Sequence, residues 1–318
     1  MALETLANRG AEAEDDDVAD RNQIVVIGRR QSGKTIFLAS IYGKLWKSLD
    51  GMTAKALSGE THKQMMEINR LLQQGQWPSS TTGTSEVAME IEYHGKKRLL
   101  VTLDFAGELF SKAFVREQDD EPAVRNLLRH IDRAAAVLLL IDPSVISGKD
   151  ADAVVDDDFG VVQAVQRIRN WPGGDAVPIA LVLTKMDRHQ RLIDSAGGVK
   201  EFVRQHFPAL IRTMREIPIF QVSAVQVDIG EDGLAKPRQD SALINIENPL
   251  RYCLSKIDRS EQEQQRLQMQ EGRRQQAISM EQEERRSARR HKTLWVLVIA
   301  GALILWIFIL AMIVIKRV

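Results

Sequence analysis

Apolar and polar positions alternate along this chain in two rhythms that take turns. Ile24-Val25-Val26-Ile27 is a continuous apolar run of the length of a strand buried on both faces. After it, Ile36, Phe37, Ala39, Ile41, Tyr42 and Leu45 recur at helical spacing, and 61–73 predicts a second helix. Residues 87–93 alternate in the strand manner, turn at His94-Gly95 and return over 98–104, which predicts an antiparallel hairpin on a sheet edge. Apolar runs at 136–141, 177–183 and 217–222 read as further strands. Helical stretches at 121–133, 159–169, 198–207 and 249–258 follow or separate them. Strands alternating with helices predict an α/β fold, a mostly parallel sheet covered by helices on both faces.

The rhythm changes after residue 258. Residues 259–293 are rich in Glu, Gln and Arg, and their large aliphatic residues (Leu267, Met269, Ile278, Met280) form no sustained heptads. A charged, partly helical stalk is expected there, with Gly272 as a break. Residues 294–315 then run without a charge. A helix of that length crosses a hydrocarbon core of ~30 Å. Trp295 suits one interface and Lys316-Arg317 closes the other. A buried soluble helix is the competing reading, and the basic flanks argue against it. Arg285, Arg286, Arg289, Arg290 and Lys292 outnumber the charges beyond the span, so the N-terminal part is expected to face the cytoplasm. The same cluster favours anionic headgroups by about 1 kcal/mol per residue. The expectation is a single-pass, tail-anchored chain, with a bacterial inner membrane preferred to an organelle. No N-terminal signal-peptide pattern is present.

Composition adds two limits. Lys plus Arg and Asp plus Glu balance at 43 each, which argues against nucleic acid as a partner. The acidic stretch 12–20 has too little apolar surface to order itself, so 1–21 reads as a disordered arm and the folded domain as 22–258. A single cysteine, Cys253, excludes an internal disulfide and a cysteine-based zinc cluster.

The chemistry begins at the end of the first strand. Gly28-Arg29-Arg30-Gln31-Ser32-Gly33-Lys34-Thr35 fits G-x-x-x-x-G-K-[ST], a phosphate-cradling loop between a strand and a helix. Gly28 and Gly33 let the backbone curl so that the N–H groups around Ser32, Gly33, Lys34, Thr35 and Ile36 point at an anion. Lys34 adds a positive charge for the β/γ-phosphates, and the Thr35 hydroxyl suits Mg²⁺. A chance match in a glycine-containing turn is the bland alternative. Asp104-Phe-Ala-Gly107 ends a strand, where a carboxylate can hold Mg²⁺ through water and a glycine N–H can approach a γ-phosphate. Alone, that pattern is an ordinary strand exit. Thr184-Lys185-Met186-Asp187 closes another strand. A carboxylate at Asp187 can accept two hydrogen bonds from the guanine edge, which adenine does not offer, and the Lys185 stem would cover the base. Ser223-Ala224 ends the next strand and can present a backbone N–H to the guanine oxygen.

Taken in order, these four motifs resemble those of P-loop GTPases of the Ras-like or translation-factor-related class, over about residues 22–258. The resemblance implies a six-stranded sheet with five surrounding helices, Mg²⁺-GTP binding, and two loops that sense the γ-phosphate. It also implies a switch-loop threonine ligating Mg²⁺; Thr82, then Thr84, are the candidates. The segment 50–78 is longer than in a minimal small GTPase and reads as an insertion.

Four positions depart from the pattern. Glu108 stands where many Ras-like proteins carry a glutamine that orients the attacking water. It acts either as a base in a modified mechanism or as the cause of slow turnover, and slow turnover is expected. Arg29 and Arg30 replace small residues; either is a solvated surface arginine or a cis positive charge for the phosphates, with Arg30 the catalytic candidate beside Lys34, Gly107 and Glu108. Thr184 replaces the commoner asparagine. The leading expectation is a membrane-anchored switch that hydrolyses GTP to GDP and engages a cytoplasmic protein effector. A nucleotide-binding scaffold with little hydrolysis is the alternative, and an ATP-using enzyme is disfavoured by Asp187.

Overall fold

The computed structural model describes residues 21–315, apart from Arg30 and 80–85, 104–105, 117, 119, 148–150, 171–172, 215–216, 231–232 and 240–241. Within its helices and strands, the side chains at 86, 103, 106–108, 145, 147, 151–153, 157, 281–297 and 304–315 also lie outside the description. Two compact units divide the chain, Met1–Asp258 and Arg259–Val318.

The first unit is built on β1 (Gln23–Ile27), whose last four residues are buried. Its alternate side chains serve two cores, Ile24 and Val26 on one face, Val25 and Ile27 on the other. That explains an uninterrupted apolar run where a half-exposed strand would alternate. Residues Lys34–Leu45 form α1, Met52–Ala56 β2, Gly59–Gln73 α2, Glu86–Tyr93 β3 and Lys96–Leu103 β4. Ala106–Phe114 is α3, Pro122–Asp132 α4, Ala134–Ile141 β5, Ser144–Ser147 α5, Ala151–Arg169 α6 and Ile179–Leu183 β6. Met186–Ser195 is α7, Val199–His206 α8, Pro208–Thr213 α9, Ile219–Gln221 β7, Val227–Ile229 β8, Ala235–Pro237 β9 and Asn248–Ile315 α10.

The main sheet runs β2-β3-β4-β1-β5-β6-β7. From β4 through β7 every neighbouring pair is parallel, with Val25 beside Val101, Ile27 beside Leu139 and Ile141 beside Leu183. Seven strands replace the expected six. The seventh, β2, comes from the segment read as an insertion and pairs antiparallel with β3 (Ala54 with Ile91). The β3–β4 hairpin is therefore an inner pair and not the sheet edge. Its two-residue turn has both His94 and Gly95 at positive φ (50° and 76°), the conformation that matches strand twist.

One face carries α1, α2 and the first turns of α10, with Phe37, Ile41, Met65, Leu250 and Leu254 in its core. The other carries α3, α4 and α6 to α9 around Phe110, Leu127, Val165 and Phe202. Strand ends at Ile27, Ile141, Leu183 and Gln221 thus open on one edge of the sheet, where open α/β sheets bind ligands.

In the second unit α10 continues through Gly272, so that glycine does not break the stalk. Leu267, Met269, Ile278 and Met280 are exposed there. Among the described residues no helix is long and apolar enough to cross a membrane. Most side chains of the expected span, and all of the acidic arm through residue 20, lie outside those residues.

Candidate functional site

The phosphate loop leaves β1 at Gly28, and only a residue without a side chain fits there. A Cβ at Gly28 would lie 2.4 Å from the Leu140 carbonyl oxygen and 2.8 Å from the Ser32 hydroxyl. The Ser32 N–H closes a turn on the Arg29 carbonyl at 3.2 Å. Gln31 (φ 65°) and Gly33 (φ 86°) take left-handed conformations, and Gly33 caps α1 while accepting the Phe37 N–H at 2.8 Å. The backbone is strained at Gln31, where a side chain makes φ > 0 costly. These features curl the segment around its own centre.

Lys34 fills that centre. It is buried, and its ammonium donates to the carbonyls of Gly28 at 2.8 Å and Arg29 at 2.7 Å, with the Ser32 hydroxyl at 3.4 Å. Thr35 and Ile36 follow in the first turn of α1. A cavity of 70 Å³ adjoins the loop between Gly28, Gln31, Asp142 and the α3 and α6 residues Phe110 and Val161.

A second group of residues gathers at the ends of β6 and β7. The buried Thr184 hydroxyl lies 2.9 Å from the Ser32 carbonyl and 3.2 Å from that of Ile141, so it braces the phosphate loop against two strand ends. Lys185 caps α7 in a left-handed conformation (φ 55°, ψ 35°). Asp187 sits in the first turn of α7. Its Oδ1 lies 2.8 Å from the Ser223 hydroxyl, which is also 2.8 Å from the Val225 carbonyl. Asp187 Oδ2 is buried with no hydrogen-bond partner among the described residues. A buried carboxylate oxygen left so costs about 1–3 kcal/mol or more, which a ligand bearing N–H donors would recover.

The Ser223 N–H is committed to the Ile244 carbonyl at 3.1 Å. The Ala224 N–H is therefore the donor left for a base carbonyl. The Ala224 carbonyl is held by the Ser40 hydroxyl of α1 at 3.0 Å, which ties this loop to the phosphate-binding helix.

Two titratable residues that the motifs did not mark complete the corner. Asp142, at the end of β5, accepts the Lys185 ammonium at 2.5 Å and the Ser144 N–H at 2.9 Å. Burial alone would raise its carboxyl, but the hydrogen bonds from Lys185 and Ser144 outweigh it and hold the group below its ordinary value. His189 Nε2 lies 3.5 Å from Asp142 Oδ1, too long for a hydrogen bond, and burial lowers the imidazole pKa although Asp142 pulls the other way. The sequence signal for Asp142 was present: a polar Asp-Pro-Ser ending the longest apolar strand, level with the other two strand exits. The Lys185 stem was expected to lie over a base, and its ammonium is found on Asp142.

The structure thus brings together Gly28, Ser32, Gly33, Lys34, Thr35, Thr184, Lys185, Asp187, Ser223 and Ala224 on one sheet edge. Arg30, Thr82, Thr84 and Asp104 lie outside the described residues, as do the surroundings of Gly107 and the side chain of Glu108. Among the described residues no group of three or more His, Cys, Asp or Glu side chains stands ready for a metal. Hard oxygen donors of the Thr35 and Asp104 kind are nonetheless the chemistry Mg²⁺ takes.

A comparison with curated proteins finds none that matches. The sequence model of the Double-GTPase 2 family matches residues 22–236, more than half of the chain and all of the strands that carry the site. The loop, the order of the strand-end motifs and this match agree: the chain belongs to the Double-GTPase 2 family of P-loop GTPases.

Proposed function

We propose that the protein is a membrane-anchored switch that binds Mg²⁺-GTP, hydrolyses it to GDP and phosphate, and engages a cytoplasmic protein through its nucleotide-sensing loops. The observation that carries the guanine assignment is Asp187, with one oxygen fixed by Ser223 and the other buried without a partner among the described residues. Guanine offers N1–H and N2–H₂ to such a carboxylate, and adenine leaves it unsatisfied. In this reading Gly28, Ser32, Gly33, Thr35 and Ile36 supply the phosphate cradle, and phosphate oxygens draw the Lys34 ammonium off the carbonyls it now holds. Thr35, Asp104 and Thr82 are the residues that would hold Mg²⁺, which neutralises charge on the β- and γ-phosphates. The anchor rests on the uncharged run 294–315, and the basic cluster from Arg285 to Lys292 adds attraction to anionic lipids.

Glu108 favours a second reading, a guanine-nucleotide scaffold with little turnover, because it adds negative charge beside the γ-phosphate. One experiment separates them. Nucleotide released from the purified chain is identified, and phosphate release is followed in a single turnover for wild type and Glu108→Gln. Bound guanine nucleotide with slow release supports the switch, and its complete absence of turnover supports the scaffold. Adenine nucleotide in the preparation would refute both.

A further inference from the structure

We infer that Asp142 is a positioning residue for base recognition, holding Lys185 by its ammonium so that the aliphatic stem stands where it covers the guanine. The inference rests on the proposed guanine site and adds a residue outside its motifs. Both Asp142 oxygens are occupied, Oδ2 by Lys185 Nζ at 2.5 Å and Oδ1 by the Ser144 N–H at 2.9 Å. The carboxylate therefore cannot swing, and its side chain is only 7% exposed.

Lys185 is fixed at its other end as well. Its backbone sits in the left-handed region as the cap of α7, and the next N–H, of Met186, donates to the Val222 carbonyl at 3.2 Å. A lysine anchored at Cα and Nζ has lost most of its rotamer freedom before any ligand arrives, which favours binding. The Lys185 side chain as a whole remains a third exposed. Register explains why Asp142 reaches it: β5 and β6 run parallel with Ile141 beside Leu183, so the residues just past both strands emerge as neighbours. His189, one helical turn beyond Lys185, places a neutral imidazole against the remaining side of Asp142.

The test uses the full chain and fluorescent GDP with wild type, Asp142→Asn, Lys185→Gln and the double variant. Asp142→Asn keeps the shape and the Ser144 bond, and is expected to weaken GDP about tenfold, the scale of a lost charge-assisted hydrogen bond. Lys185→Gln should lose at least as much, and the double variant no more than Lys185→Gln alone. Asp142→Asn with wild-type affinity, or losses that multiply in the double variant, would overturn the positioning role while leaving the guanine site standing. A wild type that binds no guanine nucleotide would overturn the guanine reading and the inference with it. A second measurement needs no nucleotide: the His189 ring titration by NMR should move to lower pH in Asp142→Asn, and an unmoved midpoint removes the carboxylate from its place beside the ring.

Discussion

The phosphate loop and the base corner stand on the same sheet edge and treat their charges in opposite ways. At the loop, the Lys34 ammonium closes on the carbonyls of its own segment, so its bonds are already made. At the corner, Ser223 holds Asp187 by one oxygen while the other stays buried and without a partner among the described residues. A ligand at the loop exchanges bonds, and a ligand at the corner adds them. On the proposed function, this divides the work: the many N–H groups of the loop give affinity for any nucleoside di- or triphosphate, and the corner chooses the base. Thr184 joins the two, reaching the Ser32 and Ile141 carbonyls from the strand that carries the base motif.

The largest expected effect comes from emptying the loop. Lys34→Ala leaves the Gly28 and Arg29 carbonyls turned inward with no cation between them. Single-turnover GTP hydrolysis should fall by on the order of 10²–10³, and affinity for GTP, ATP and XTP alike should fall with it. A loss confined to GTP would break the division, because the loop would then be reading the base. Asp187→Asn is the converse experiment. Guanine nucleotide affinity should drop roughly 10²-fold or more while xanthine nucleotides gain, since an amide can donate to the xanthine oxygen. Unchanged base preference would remove Asp187 from the site.

The two corners were unequally legible in the sequence. The loop is legible because its motif is local, eight consecutive residues, although the Leu140 carbonyl that leaves no room for a Cβ at Gly28 arrives only with β5 beside β1. The base corner is assembled from residues far apart. Thr184-Lys185-Met186-Asp187 was found by its motif, yet the Ser223–Asp187 contact spans 36 positions and depends on β6 and β7 lying side by side. Asp142 belongs to no motif, and it meets Lys185 only because β5 and β6 lie side by side in register. The fold shows the same limit. Apolar β1 and β5 announced themselves, whereas β2 reads Met-Thr-Ala-Lys-Ala, five residues whose alternation is too brief to count until β3 pairs with it. The β8–β9 hairpin has three-residue strands, too short for the alternation of Val227 and Ile229 to stand out. Gly272 was taken for a helix break because glycine costs about 1 kcal/mol there, and the long flanking helix formers outweigh it.

Thr184→Val tests the joint between the corners. Valine keeps the volume and removes the hydroxyl, so the Ser32 carbonyl loses that donor in a buried place while Ile141 keeps the Thr184 N–H at 2.9 Å. A cost of about 1–3 kcal/mol in folding stability is expected, read as a lowered Tm. Nucleotide affinity should fall several-fold for guanine and adenine forms together, because the variant loosens the loop's seat and not the base's partner. A fall seen for guanine alone would move Thr184 from brace to base contact.

The smallest effect is one of acidity, and it should touch one corner only. Burial lowers the His189 pKa despite the pull of Asp142, so its folded-state value lies below the unfolded one. A group depressed in this way adds stability that is complete above about pH 6.5 and is lost as pH falls through the folded value. Protonation there sets a second cation against Asp142 in competition with Lys185, whose ammonium already occupies Oδ2. The loop itself, residues 28–35, contains no histidine. Hydrogen exchange, corrected for intrinsic rates and compared between pH 7.5 and pH 5.5, should therefore show protection falling at 186–189 while 33–37 holds. His189→Gln should remove the difference. Equal loosening of both segments would mean that Thr184 couples the corners so tightly that they open as one unit, and the division between affinity and selectivity would then be chemical without being mechanical.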